Sequence, residues 1–388
     1  MISVSEALER LFALAPEMPA EIVPLSQASG RVLAEPVAAR RMQPPFDASA
    51  MDGYAVAEAA AGDRFTVTGE AVAGRRLDGT LQAGEAVRIF TGAPLPSGAT
   101  RVVIQEDVTR DGDRITVTTE PDTARHVRAA GSDFGPGHTV SAPRRLGPND
   151  IALLAAMNVP AVPVRKRPVV AILATGDELV MPGEAPGADQ IVASNTFGLH
   201  ALMHDLGADP RMLPIARDNV ASLRAAFGMI DDADLLLTVG GASVGDHDLV
   251  APVAADLGMA PAFHKVAMRP GKPLMSGRLG ETMMIGLPGN PVSAMVCGHV
   301  FVAPVLRSML GLDAAPAPRC SAPLAAPLRH NGPREHYMRA TLSDGALTVF
   351  DRQDSSLLSV LAAADALVVR PPWDTERQAG DVVQYLPL

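Results

Sequence analysis

The sequence predicts a multidomain protein in which a three-layer α/β domain with a mostly parallel sheet is joined to smaller β-rich parts. Three observations carry this. The chain has 388 residues, long enough for two to four domains at roughly 100–200 residues each. Between residues 168 and 310, short apolar runs alternate with segments of helical period, the order that covers a parallel sheet on both faces. Elsewhere the pattern shifts to short β-rich runs punctuated by Gly, Pro and Asp.

In chain order, residues 1–41 carry helical periodicity, with Leu8, Leu11, Phe12 and Leu14 on one face. "FTVTGEAVAG", "EAVRIFTGAPL", "TRVVIQEDVT" and "RITVTTE" then read as a small β domain. "PNDIALLAAMNV" returns to helix, with Pro148 at its start. Helix on either side suggests a helical platform of residues 1–43 and 143–166 carrying an inserted β domain, 44–142. Residues 167–316 form the α/β domain, with strands expected near 168–174, 210–215, 234–239 and 282–286. Helices are expected near 195–206, 219–231, 249–257 and 291–310. After the proline-rich "AAPAPRCSAP", residues 317–388 read as a terminal β barrel.

Composition removes several function classes. Apolar stretches are interrupted before ~18 residues, so no membrane span is expected. The N-terminus carries Glu6 and Glu9 in an amphipathic pattern, unlike a basic and apolar targeting segment. Two cysteines, Cys297 and Cys320, make no disulfide framework, which fits a reducing cytoplasm. A net charge of −10 would repel nucleic acid, so any anionic ligand needs local positive charge. Only three of the 33 basic residues are lysines, Lys166, Lys265 and Lys272, and two of them fall in "HKVAMRPGKP". A lysine kept in an arginine-rich chain supplies a compact point charge suited to an oxyanion.

The loops after the strands could carry chemistry. "ATGDEL" brings Asp177 and Glu178 to the ligand face, where adjacent carboxylates suit magnesium or serve only the helix dipole. Ser194 and Asn195 are candidate helix caps, and Asp218 stands where capping competes with a site role. His200 and His204 are one turn apart without a "HExxH" context, and read as a solvated face. In "GGASVGDHDL", Gly240, Gly241 and Gly245 permit close backbone approach, Ser243 suits a phosphate oxygen and Asp248 a cation or hydroxyl. Lys265, Arg269 and Lys272 supply positive charge, while "GLPGNPVSAM" opens a helix whose free amides, with Ser293, suit an anion. Outside the sheet, "PPFDASAMDGYAV", "FTGAPLPSGA" and "AGSDFGPG" are turn-rich, and Asp52, Thr91 and Asp133 fit either turns or a site.

Taken together, "FDASAMDGYAV", "TGAPLP", "ATGDEL", "SNTFGL", "GGASVGDHDL", "RPGKPL" and "GLPGNPVSA" resemble, in order, the molybdopterin molybdenumtransferases. The resemblance spans nearly the whole chain. It implies insertion of molybdate into adenylylated molybdopterin, with Mg2+-dependent release of AMP, by an elongated homodimer joined through the helical platform. It also implies contact with other cofactor-biosynthesis proteins and molybdoenzyme acceptors. Glu178, Asp218 and Asp248 match the family's acidic, magnesium-holding residues, and Asp52 joins them in catalysis. Thr175, Gly176, Ser194, Asn195, Gly240, Gly241, Ser243, Lys265, Pro288, Asn290, Pro291 and Ser293 match the substrate pocket. Asp52, Thr91 and Asp133 match positions that approach from the other subunit, and Arg269, Lys272, Arg339 and Ser355 match molybdate ligands. Two departures are visible: Arg269 stands where many relatives carry lysine, and Asp354 where glycine or serine is usual. Competing expectations are the adenylyltransferase of the same α/β fold and a non-catalytic dimeric scaffold. "GGAS" where the former has "GGTG", and the intact acids and cations, count against them.

Overall fold

A computed structural model describes residues 1–241 and 249–388. Ser243, Gly245 and Asp248 lie outside the described residues. The chain divides into two compact units, one of residues 1–21 and 165–388, the other of residues 22–164.

The larger unit is built on a six-stranded sheet. Helix α1 (Val4–Leu14) precedes it, capped by the Ser3 side chain, which accepts from Glu6 N–H at 3.1 Å. The repeat is β1 (Val169–Ala174), α2 (Asn195–Asp205), β2 (Asp209–Met212), α3 (Val220–Phe227), β3 (Leu235–Val239) and α4 (Val250–Asp256). Strands β4 (Ala260–Lys265), β5 (Pro273–Leu279) and β6 (Thr282–Leu287) follow, then α5 (Pro291–Cys297) and α6 (Ala303–Met309), joined by a π turn over Gly298–Val302. Sheet order is β2-β1-β3-β6-β5-β4, parallel through β6 and antiparallel beyond. The antiparallel β4–β5 extension was not expected from the sequence. Pro261 in β4 is tolerated because β4 is the edge strand.

Alternation along the strands explains the three layers. Val170, Ile172, Leu235, Leu237, Met283 and Ile285 face one core with α1, α2, α5 and α6. Ala171, Leu173, Leu236 and Met284 face the other with α3 and α4. The helical run Pro291–Met309 has 19 residues and an 18-residue window of mean hydropathy 1.5, interrupted by His299 and Arg307 as the sequence reading expects. Its apolar window is 78% buried, so its hydrophobicity is spent on the sheet.

Also in this unit, β7 (Cys320–Pro323), β8 (Glu335–Ser343), β9 (Ala346–Val349), β10 (Ala366–Arg370) and β11 (Val382–Pro387) pair in the order β9-β8-β10-β11-β7. A bridge between Leu324 and Leu347 joins the end of β7 to β9. Ala366 and Val368 point into the interior of this small sheet, while Leu367 and Val369 join the α/β core.

The second unit contains a six-stranded sheet of Arg101–Ile104, Gly53–Val56, Glu85–Ile89, Arg64–Ala71, Arg114–Val117 and Val108–Asp111, in that order. Helix Pro148–Ala156 packs into a separate small core with Leu33, Leu146 and Val162. The helical character expected for residues 1–41 is confined to α1 and one turn at Leu25–Gln27, and α1 packs on the parallel sheet. Pro16, Pro19, Pro24 and Pro36 prevent a longer helix there, and Val32–Leu33 and Val37–Ala38 form strands instead.

Candidate functional site

Strand β2 lies on one side of β1 and β3 on the other, so the chain reverses direction across the sheet between β1 and β3. Such a switch point opens a crevice at the carboxyl ends of the strands. A cavity of about 650 Å³ lies there. Thr175, Gly176 and Glu178 line it after β1, Asp218 after β2, Gly240 and Gly241 after β3, and Pro288 to Pro291 after β6. Ser194, Asn195 and Thr196 at the start of α2 complete it with Ile191, Val192, Pro273 and Ser356.

Glycine is required at the floor. Gly240 has φ +95°, and a Cβ there would meet the Thr175 carbonyl oxygen at 2.8 Å. A Cβ on Gly289 would lie 3.6 Å from the Gly240 Cα, so these two turns pass close together. Gly240 N–H continues the sheet by donating to Leu287 O at 3.2 Å. Thr175 is only 5% exposed, and its hydroxyl has no hydrogen-bond partner among the described residues. A buried donor beside a cavity suits a polar ligand atom.

The capping alternatives are not realised, and these residues line the cavity instead. Ser194 makes no capping bond; its hydroxyl lies 3.4 Å from Asn195 Oδ1. Asn195 Nδ2 donates to Gly289 O at 2.8 Å, tying α2 to the turn before α5. Asn219, not Asp218, caps α3, accepting from Ser222 N–H at 2.9 Å. Of the adjacent acids, Glu178 lines the cavity, while Asp177 accepts from Asp218 N–H at 3.2 Å. His204 pairs with Asp205 on the surface, as a solvated face would.

The predicted cations lie elsewhere. Lys265, Arg269, Lys272 and Arg339 do not line the cavity, although Pro273 beside Lys272 does. Met268–Arg269 pairs with Glu335–His336, which draws Arg269 toward the C-terminal strands. Arg339 is 1% exposed and donates to Gln353 Oε1, Asp354 O and Leu357 O, so it shapes the loop of residues 353–357. Burial pulls its guanidinium pKa down. Ser355 accepts from Val292 N–H through its carbonyl, docking that loop on α5, and Ser356 lines the cavity. The Ser356 hydroxyl and N–H donate to Asp354, holding that carboxyl below its usual range. Ser293 is 4% exposed within α5 and does not line the cavity.

In the second unit, the Thr91 N–H and hydroxyl donate to Asp52 at 2.8 and 2.9 Å, lowering the Asp52 pKa. Asp133 is exposed.

Sequence reasoning missed Ile191 and Val192, Ser356 and Arg217. The first two are 58% and 42% exposed apolar side chains lining the cavity, signalled only by the apolar pair before Ser194. Ser356 is adjacent to the predicted Ser355, a shift of one residue that spacing cannot resolve. Arg217 donates to three carbonyls of the "TGDEL" loop, and nothing marks it in an arginine-rich sequence.

Three family descriptions match the chain: MoeA N-terminal region (domain I and II) over residues 2–158, probable molybdopterin binding domain over 171–308, and MoeA C-terminal region (domain IV) over 321–388. The chain is 37% identical to a molybdopterin molybdenumtransferase of Nostoc sp., covering 100% of this chain and 94% of that one. It is also 37% identical to molybdopterin molybdenumtransferase 2 of Mycobacterium tuberculosis, with 93% of each covered. The crystal structure of a molybdopterin biosynthesis MoeA protein from Pyrococcus horikoshii OT3 superposes with a TM-score of 0.86 at 26% identity, covering 100% of both chains. The order of the seven motifs, the cavity to which the five motifs of the α/β region contribute and these matches agree: the chain belongs to the molybdopterin molybdenumtransferase (MoeA) family.

Proposed function

We propose that this protein inserts molybdate into adenylylated molybdopterin and releases AMP, in molybdenum cofactor biosynthesis. The observation that carries the reading is the switch-point cavity, where two carboxylates, close-approach glycines and a threonine without a hydroxyl partner among the described residues meet. The exposed apolar edge of Ile191 and Val192 takes a flat ring of the substrate. The turns at Gly240, Gly241 and Gly289 admit its phosphates close to the backbone, and Thr175 donates to a phosphate oxygen. Asn195 keeps α2 and the Pro288–Pro291 turn in register around it.

The donor set fits Mg2+. Glu178 and Asp218 are hard oxygen donors and the only charged side chains lining the cavity among the described residues. Magnesium is commonly held by one or two carboxylates plus substrate phosphates. Glu178 and Asp218 would hold it, with Asp248 from outside the described residues as a third. When bound it would neutralise phosphoanhydride charge and polarise water for release of AMP.

Molybdate is a substrate, and Lys272 and Arg269 would supply the positive charge that holds it, from either side of Pro270–Gly271. Arg339 acts on it by setting the loop that carries Ser355 and Ser356. We place the reaction in a cytoplasmic homodimer. Asp52, paired with Thr91, and Asp133 would reach the ligand from the other subunit. The four-part division at residues 1–43 with 143–166, 44–142, 167–316 and 317–388 is part of the same reading; separate family matches over 171–308 and 321–388 support its last two parts, while the match over 2–158 spans the first two undivided. The test is to incubate the protein with adenylylated molybdopterin, Mg2+ and molybdate and to measure AMP. Molybdate-stimulated release is expected, and its absence would sink the reading.

A further inference from the structure

The two carboxylates of the cavity come from different loops, Glu178 after β1 and Asp218 after β2. Backbone pairing between these loops ends at the Thr175–Ala216 bridge, where Gly176 N–H donates to Ala216 O at 3.1 Å. Beyond it, among the described residues, no backbone bond joins residues 177–180 to 217–220. Side chains hold them instead. Arg217 Nη1 lies 3.3, 3.0 and 3.2 Å from the carbonyl oxygens of Gly176, Asp177 and Leu179. In return, Asp177 Oδ1 accepts from the Asp218 backbone N–H at 3.2 Å. Each loop thus grips the backbone of the other with one side chain, and the residue next to each gripping side chain is a cavity carboxylate.

We infer that Arg217 and Asp177 are positioning residues: this reciprocal strap sets the separation and orientation of Glu178 and Asp218, and with it the divalent-cation site. The inference rests on the reading of Glu178 and Asp218 as the acids of the transferase site. The remaining carbonyls of the loop are also engaged, Glu178 O by Ile191 N–H at 2.8 Å and Val180 O by Ala193 N–H at 2.9 Å. Arg217 N–H is itself fixed by Ser222 Oγ at 2.9 Å. The strap therefore joins two locally ordered pieces, so its loss should let them drift relative to one another without unfolding either.

The experiment compares Arg217→Met, Arg217→Lys, Asp177→Ala and Asp177→Asn with the wild type by two measurements. One is AMP release, separated into kcat and KM for adenylylated molybdopterin. The other is Mn2+ binding in the presence of AMP, followed by electron paramagnetic resonance. Arg217→Met and Asp177→Ala should lower kcat about 100-fold, the scale of an ångström-sized misplacement, while leaving KM nearly unchanged. Mn2+ affinity should fall about tenfold, the lower end for lost outer-shell support. Asp177→Asn keeps an acceptor for Asp218 N–H and should restore both readouts; Arg217→Lys keeps a donor without the planar fork and should restore them in part.

If Arg217→Met does not fold, the Asp177→Ala and Asp177→Asn pair decides alone. Folded Arg217→Met or Asp177→Ala with wild-type kcat and Mn2+ affinity would overturn the inference. Should the wild type release no AMP, the proposed activity fails, and the Mn2+ arm still decides the strap. Should it release AMP without binding Mn2+, the metal assignment fails, and the kcat arm decides.

Discussion

Replacing Thr175 by valine should move stability and ligand affinity in opposite directions. The residue is 5% exposed, and its Oγ1 is buried without a partner among the described residues. An unsatisfied buried polar group costs the folded state about 1–3 kcal/mol, and valine removes it at nearly constant volume. The ligand-free variant should therefore be about 1 kcal/mol more stable, raising its unfolding midpoint by roughly 2–4 °C for a unit of this size. A hydrogen bond to a charged phosphate oxygen contributes about 1.5–3 kcal/mol, so losing it should weaken AMP binding roughly 10- to 100-fold.

Thermal unfolding with and without AMP and Mg2+ reads both effects. At a ligand concentration of about 100 times the wild-type Kd, binding stabilises the wild type by about 2.7 kcal/mol. A Kd raised about 30-fold leaves about 0.9 kcal/mol at the same concentration. A variant whose ligand-free midpoint falls while its AMP-induced shift is unchanged would refute the reasoning, because the hydroxyl would then serve the fold and face no ligand.

Four further outcomes are expected. Gly240→Ala combines a left-handed backbone with a Cβ 2.8 Å from Thr175 O, and should cost about 2–4 kcal/mol in urea unfolding and abolish AMP binding. Asp374→Asn leaves Arg370, 1% exposed, without its carboxylate and should cost about 3–5 kcal/mol. Burial alone would raise the Asp374 pKa, but bonds from Arg377 and Arg370 hold it down, so this stability should be intact above pH ~4 and fade as pH falls through the lower folded value. Burial, with Arg269, Arg334, Arg370 and Arg339, brings the His336 pKa down to about 4. The unfolded chain takes up that proton from pH ~6.5 downward and the folded one does not, so stability should fall by up to about 3 kcal/mol between these pH values, and His336→Gln should flatten the slope. Cys297 is fully buried with its thiol pKa pushed up, whereas Cys320 is exposed, so a thiol reagent should titrate one cysteine in the native protein and two in denaturant.

Strand–helix alternation was legible because three of the four parallel strands, β1, β3 and β6, are short apolar runs, as in "VVAILATGD" and "LLLTVGG", whereas β2 at the edge reads "DPRM". The antiparallel strands β4 and β5 were not, because "APAFHK" has no period-2 pattern and lies at an edge. Within the site, glycine turns and acids are local signals that survive reading in one dimension. Gly240, Gly241, Glu178 and Asp218 accordingly line the cavity. The cations do not follow that rule. Where Arg269 goes depends on a pairing with residues 335–336, some 66 positions later in the chain, which no local pattern announces. Arg217 escaped for a related reason: its partners are carbonyl oxygens, and backbone acceptors leave no mark in a sequence.

The charge distribution of the cavity narrows how an anionic substrate could be held. Glu178 and Asp218 are its only charged lining residues among those described, and the segment outside the description, "ASVGDHD", contains neither lysine nor arginine. A phosphate charge about 6 Å from a carboxylate is repelled by about 3 kcal/mol at an effective dielectric constant near 20. Backbone amides at a helix start return only about 0.3–1 kcal/mol for each negative charge. Gly240 N–H already donates to Leu287 O and Val292 N–H to Ser355 O, and Pro291 has no N–H, so the backbone of these turns cannot by itself offset acids facing a pyrophosphate. In the proposed reaction, a cation lying between the acids and the ligand would remove that repulsion. Lys272 and Arg269 do not line the cavity, so in the proposed reaction they would serve the oxyanion, and a divalent ion would neutralise the pyrophosphate. On the proposed function the acids would make the cavity selective: a phosphoanhydride would bind together with its metal, and a bare anion of the same size would be turned away.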